Sequence, residues 1–342
     1  MISGGAALST ARVFSRQLSM RAAVVSVFGP PENIKTVPDH PEPSLTSDNQ
    51  VLIDVYASGI NPVDTYIRSG VYGRLPPLPY IPGRDGAGVV RKIGSAVTHL
   101  RQGDRVWFYD ASGTAAEVTV AEKAFPLAEG LSFPEGASIG VPYLTAYRAL
   151  VTRGHVKKSD RVLIHGASGG VGLACVQLLR HLGVSQIVGT VGTVAGIELV
   201  KKNGAHHVVN HRDDGYEEQL RKLAPEGFNV IIEMLANVNL ARSLSLLAFA
   251  GRVGIVGSRG ETTINPRAIM VQEAEVYGVM LAAITPSELA ESNSALSALF
   301  SSGARPVLKK VYEGLEQLSQ AHDDVIKQPG GSLGNLVVKV RD

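Results

Sequence analysis

The sequence predicts an α/β fold in which a doubly wound parallel sheet is joined to a second, β-rich, barrel-like unit. Three observations predict it. From about Pro134 short apolar runs alternate with helix-forming stretches, which makes a parallel sheet covered by helices the natural solution. Residues 21 to about 135 hold short strands separated by proline-dense turns. One strand, Val162 to His165, runs directly into the turn Gly166-Ala-Ser-Gly-Gly-Val-Gly172, and helix-forming residues follow to Leu182.

In the first unit, Val51 to Tyr56, Gly88 to Ile93 and Asp104 to Tyr109 read as strands. The clusters Asn61-Pro62, Pro76-Pro77-Leu78-Pro79 and Pro82-Gly83 read as the turns between them. In the second, strands are expected at Val162–His165, Gln186–Thr190, His207–Asn210, Val230–Glu233, Gly251–Val256 and Val276–Met280. Helices are expected at Gly172–Leu182, Gly196–Asn203, Tyr216–Leu223 and Asn239–Leu247. After Ala282 an amphipathic helix and a last strand, Leu336 to Val340, are too small to fold alone and are expected to return to the first unit. The expected division is therefore 1–19 leader, 21–135 first unit, 136–281 parallel sheet and 282–342 return.

Composition sets limits. The chain has 342 residues, 44% hydrophobic and 19% charged, which fits a globular enzyme and argues against disorder. Its net charge of +2 is carried by Arg12 and Arg16, so from Met20 onward the charges balance and no nucleic-acid or membrane partner is indicated. Cys175 is the only cysteine, so an intramolecular disulfide or a cysteine-rich zinc site is excluded. No apolar run reaches the ~18 residues of a membrane span. Met1 to Ser19 contain two arginines, five serines or threonines and no acid, a pattern that reads as a mitochondrial presequence or as a plain extension before a second start at Met20.

The glycine turn has the chemistry of a dinucleotide site. Glycine is needed where a Cβ would block the turn, the phosphate or helix–strand packing, and the free N–H groups of the helix start receive a pyrophosphate. Its spacing, Gly166-x-x-Gly169-x-x-Gly172 with an added Gly170, departs from G-x-G-x-x-G, so a flexible loop is the alternative. A sheet that binds NAD normally ends its second strand with an acid that takes the ribose hydroxyls. Here that strand ends Gly189-Thr190-Val191-Gly192-Thr193, and the basic pair His211-Arg212 follows the third strand, which favours NADPH. Ser168 lacks the G-x-S-x-G elbow of a hydrolase.

Several stretches together resemble the zeta-crystallin/NADPH:quinone oxidoreductase family, the zinc-independent branch of the medium-chain dehydrogenase/reductase superfamily. They are Gly59 to Gly70, Gly140 to Leu150, His165 to Gly172, Asn203 to His206, Ile232 to Asn239 and Val256 to Gly260, and the likeness runs from Met20 to the end. The resemblance implies a Rossmann domain binding NADPH and a GroES-like catalytic domain, with a quinone or enone reduced in the cleft between them. It implies ortho-quinones reduced in one-electron steps to semiquinones. It also implies a homo-oligomer, tetramer or dimer, joined through the last sheet strand near Tyr277.

Carried over by position, Tyr66 lines the cleft beside the nicotinamide and Tyr72 offers a substrate-side hydroxyl. Ser168, Gly169, Gly170 and Val171 meet the pyrophosphate. Gly192 and His211 lie near the adenosine ribose. Asn239 and Val256, Gly257, Ser258 and Arg259 complete the cofactor wall, with Asn265 beyond. Zinc-dependent relatives carry Cys where this chain has Asn61, and Gly-His-Glu where it has Gly83-Arg84-Asp85. The resemblance therefore implies no metal, and Arg84 and Asp85 are expected to pair with each other. Two other functions are weighed: a mitochondrial enone or 2-enoyl thioester reductase with a proton-donating tyrosine near Tyr66, and an AU-rich RNA-binding or crystallin-like structural protein. The expected location is mitochondrial or cytoplasmic.

Overall fold

The computed structural model describes residues 18–328 and 330–342, so most of the expected leader lies outside the described residues. Arg161–Ile164, Gln186–Val191, His207–Asn210, Phe228–Glu233, Leu247–Ile255 and Glu275–Gly278 form a six-stranded sheet, parallel throughout, in the chain order third, second, first, fourth, fifth, sixth. That is the doubly wound order, whose reversal point lies beside the first strand. Alternate side chains leave the sheet in opposite directions. Val162, Ile164, Val230 and Ile232 pack with the helices Gly140–Tyr147, Gly170–His181 and Pro286–Ser301. Leu163 and Ile231 pack with Leu220, Leu240 and Leu244 on the other side. Burying both faces is what a near-continuous apolar strand such as Val162-Leu163-Ile164 requires. Each such side chain, fully buried, contributes roughly 1.5–3 kcal/mol.

The second sheet is built around Val51–Ile60. Its first half pairs with Val118–Ala121, its last residues pair with Asn335–Lys339, and Asp85–Ile93 runs along its other side. Arg105–Tyr109 and Lys123–Pro126 extend one edge and Leu308–Glu313 the other, giving a seven-stranded, mostly antiparallel assembly. A separate hairpin, Ser19–Val25 with Ile34–Pro41, packs onto it. The GroES-like, barrel-type architecture and the doubly wound sheet are thus both present.

Three elements differ from the sequence reading. Asn61-Pro62 is a helix start instead of a turn between strands. Asn61 caps Pro62–Ser69, Asp64 returns its carboxylate to the Asn61 N–H at 2.8 Å, and Pro62 occupies the first helical position, where its missing N–H costs nothing. Leu308–Glu313 was not anticipated, nor was the second tail helix, Leu318–Lys327. The last strand pairs with Val51–Ile60 at Leu336↔Ile60, while Gly169 and Gly334 form a parallel bridge. Through these pairings the glycine turn is held a few residues from the start of the helix that carries Tyr66.

Candidate functional site

The strand Arg161–Ile164 ends, and Gly166 turns the chain with φ +62°, a conformation that favours glycine. Gly172 is needed for a different reason. A Cβ there would lie 2.5 Å from the Gly166 carbonyl and 2.7 Å from Ala167 Cα, so the helix approaches the turn as closely as backbone allows. Gly169 caps the helix Gly170–His181 in extended conformation. The first-turn N–H groups of Gly170 and Val171 therefore have no helical carbonyl to donate to. Ser168 is buried, and its Oγ would lie 3.4 Å from a Cβ on Gly196. Ser168 to Val171 thus form one tight, glycine-rich turn at a helix start, a geometry able to accept an anion.

The end of the second strand lies against a histidine and an arginine. A Cβ on Gly192 would lie 3.0 Å from His211 Nε2 and 3.2 Å from Arg212 Nε, so the second strand's end touches both basic side chains. Thr193 takes the place of an acid, and its hydroxyl accepts from the Gly196 N–H at 3.1 Å. Burial, and then the neighbouring Arg212, lower the pKa of His211. Beneath them the buried polar side chains are partly paired, with His165 Nε2 left without a hydrogen bond. His165 Nδ1 meets Thr190 Oγ1 at 3.1 Å, and Ser243 donates to Glu233 at 2.9 Å.

The remaining wall is more varied. Val256 and Gly257 donate their N–H groups to the Glu233 carbonyl, which fixes the turn at the end of Leu247–Ile255. Ser258 donates to the Gly260 carbonyl and Arg259 N–H to Asn237, leaving the Arg259 side chain exposed. Asn239 accepts from Arg242 at 3.2 Å and bonds Glu233, so its amide is turned toward protein groups. Asn265 caps the helix Pro266–Gln272 by accepting from Arg267 N–H.

Sequence reasoning missed the tail's contribution to the glycine turn. Gly334 N–H donates to the Ser168 carbonyl at 2.8 Å, and a Cβ on Gly170 would strike Asn335 Oδ1. Ser332 Oγ lies 3.0 Å from a Cβ position on Gly169, and Gly331 packs on Thr193. The run Gly330-Gly331-Ser332-Leu333-Gly334 was the signal, glycine-rich like the turn it covers.

On the other side, Tyr66 is half-buried on Pro62–Ser69, and Tyr72 is half-buried just after it. Asn61 Nδ2 donates to Asp85 Oδ2 at 2.9 Å, and the same oxygen accepts from Val141 N–H at 2.8 Å. Burial pushes Asp85 up to about 7, against the Val141 hydrogen bond and with the nearby Asp64 adding to the rise. Burial also pushes Asp64 up to about 6. The expected Arg84–Asp85 pair does not form. Arg84 pairs with Asp110 and lies over the Tyr109 ring at 5.5 Å, because the Asp85 carboxylate is already turned inward to Asn61 and Val141. This set does not fit a zinc ion: a guanidinium has no lone pair to offer, and the Asn61 amide and Asp85 carboxylate face each other.

Residues 170–298 match the family described as zinc-binding dehydrogenase, and residues 47–152 match the alcohol dehydrogenase GroES-like domain. The quinone oxidoreductase of Homo sapiens is 46% identical over 327 residues, which cover 94% of this chain and 98% of that one. The chain belongs to the quinone oxidoreductase family. Its Rattus norvegicus relative, also a quinone oxidoreductase, is 44% identical over the same share of both chains. Among solved members of this quinone oxidoreductase fold, the Escherichia coli quinone oxidoreductase complexed with NADPH has a TM-score of 0.81. It is 29% identical and covers 94% of this chain and 99% of that one. A mycobacterial protein complexed with NADPH has a TM-score of 0.83 at 28% identity, over 94% of this chain and 100% of that one.

Proposed function

We propose that this chain is a zinc-independent NADPH:quinone oxidoreductase that favours ortho-quinones and passes electrons one at a time. The reaction would take place between the carboxyl edge of the parallel sheet and the helix bearing Tyr66. The observation that carries the cofactor reading is Gly192 packed against His211 and Arg212 where an NAD-binding sheet has an acid. The named relatives and the NADPH complexes among the solved structures support the activity.

Bound NADPH supplies the reducing equivalents; the chain binds, orients and excludes water. Ser168, Gly169, Gly170 and Val171 hold the pyrophosphate. Gly192 and His211 take the ribose and its phosphate, and Val256 to Arg259, Asn239 and Asn265 line the wall. Tyr66 flanks the nicotinamide and Tyr72 meets the acceptor. A homodimer or tetramer and a mitochondrial destination belong to the same reading, the second tested by import of a reporter fused to residues 1–19. Parallel assays of NADPH loss with phenanthrenequinone, a para-quinone, an enone and an enoyl thioester test the activity. Turnover of phenanthrenequinone is expected; turnover of the thioester alone makes the chain an enoyl reductase.

A further inference from the structure

We propose that Arg84 forms the acceptor-oxygen site of this chain, with Lys123 behind it and Tyr109 beneath. It would receive the carbonyl oxygens of the quinone and the negative charge that collects there during reduction. The inference rests on the quinone-reductase reading above and assigns that reaction a residue.

Two cations meet at one partly exposed carboxylate, with the buried Asp64 also acting on Arg84. Arg84 Nη2 and Lys123 Nζ both bond Asp110, the lysine at 2.8 Å, so two cations share one carboxylate. Both stand over the same ring, that of Tyr109, at 5.5 and 5.4 Å. A partly exposed pair of this kind adds little stability. Asp110 sits at φ +59°, in the left-handed region that an aspartate tolerates better than most residues with a Cβ.

The guanidinium is also underused. Among the described residues, the bond to Asp110 is the only side-chain hydrogen bond Arg84 makes, leaving donors of its planar fork open, and its side chain is 21% exposed. Burial works against its charge, yet Tyr109 and Asp110 outweigh burial and it stays protonated. It lies beside the helix that carries Tyr66. Arg84 acts on both Asp64 and Asp85, and Asp85 bonds the cap of the helix that carries Tyr66. A rigid fork engages two adjacent oxygens at once, as ortho-quinones present them, whereas a para-quinone offers one at a time.

The test compares Arg84→Gln, Arg84→Lys and Lys123→Gln with the wild type, with the single Trp107 as a second readout. Trp107 lies two residues before Tyr109 and packs tilted against Phe125 with ring centroids 4.8 Å apart, so quinone binding without NADPH is read from its quenching. Arg84→Gln is expected to lower kcat/KM for phenanthrenequinone by more than about tenfold and for a para-quinone by about threefold. It should weaken quenching by phenanthrenequinone while leaving NADPH affinity unchanged. Arg84→Lys should recover part of the loss, and Lys123→Gln should show a smaller one. Equal losses on both quinones, or kcat/KM for phenanthrenequinone within about twofold of wild type, overturns the proposal. A wild type that reduces no quinone overturns the functional reading instead, and the quenching series then decides whether Arg84 binds the acceptor.

Discussion

At Asp85, one buried oxygen accepts from both Asn61 and Val141 while the other, Oδ1, has no partner. Its carboxyl is pushed up to about 7, so the folded state holds this proton more tightly than the unfolded chain does. The resulting stabilisation is complete below the ordinary carboxylate range, about pH 4, and is lost as pH rises through 7. Asp85→Asn, whose oxygen can still accept both contacts, is expected to unfold at a higher temperature than wild type at pH 8 and to show no gain at pH 4. A thermal-unfolding series against pH checks this. His165 works with the opposite sign. Burial holds its pKa down to about 3, so folding is disfavoured as pH falls below about 6.5, where the unfolded chain takes up the proton. At the adenosine corner, Arg212→Ala is expected to raise KM for NADPH about tenfold and leave NADH unaffected, a loss of about 1.4 kcal/mol. Steady-state kinetics with the two cofactors measures it. The basic pair was legible because no acid follows the second strand. The direction of the Arg84 side chain was not, since the choice between Asp85 and Asp110 depends on contacts made by Asn61 and by Val141, 56 residues beyond Asp85.

Among the elements, those ruled by local pattern were readable and those ruled by distant pairing were not. His207–Asn210 and Tyr216–Leu223 occur where periodicity put them. Their apolar spacing and, for the helix, acids at the start and bases at the end are properties of the segment itself. Asn61-Pro62 shows the converse: the same dipeptide signals a turn or a helix start, and only Asp64 returning to Asn61 decides between them. Leu308–Glu313 is a strand because Asn335–Lys339 lies beside it, a partner that the local pattern does not disclose. The glycine turn carries the sharpest test at this scale. Gly172→Ala would press a methyl against the Gly166 carbonyl and Ala167, at a cost of about 1–3 kcal/mol of overpacking, and widen the phosphate cradle. A lower thermal midpoint together with weaker NADPH binding is expected, measured by scanning calorimetry and titration. Unchanged binding would mean that the cradle lies elsewhere.

In the whole molecule, the parallel sheet ends in an unpaired edge. Glu275–Gly278 has a neighbour on one side only among the described residues, and Val276, Met270, Val271 and Met280 are exposed close to it in the chain. An open apolar strand edge is a template for a second copy. Val276→Lys is accordingly expected to shift the assembly toward monomer, read by light scattering, with the fold retained. In the proposed reaction the two halves work together, the sheet edge binding NADPH and the other half offering an acceptor site made without metal ligands. The most direct measurement is the ratio of kcat/KM for NADPH and NADH with phenanthrenequinone as acceptor, in the wild type freed of zinc by chelation. Rapid quinone reduction with NADPH preferred by more than about tenfold is the expected result. Equal use of NADH, loss of activity on chelation, or turnover confined to an enoyl thioester would contradict it.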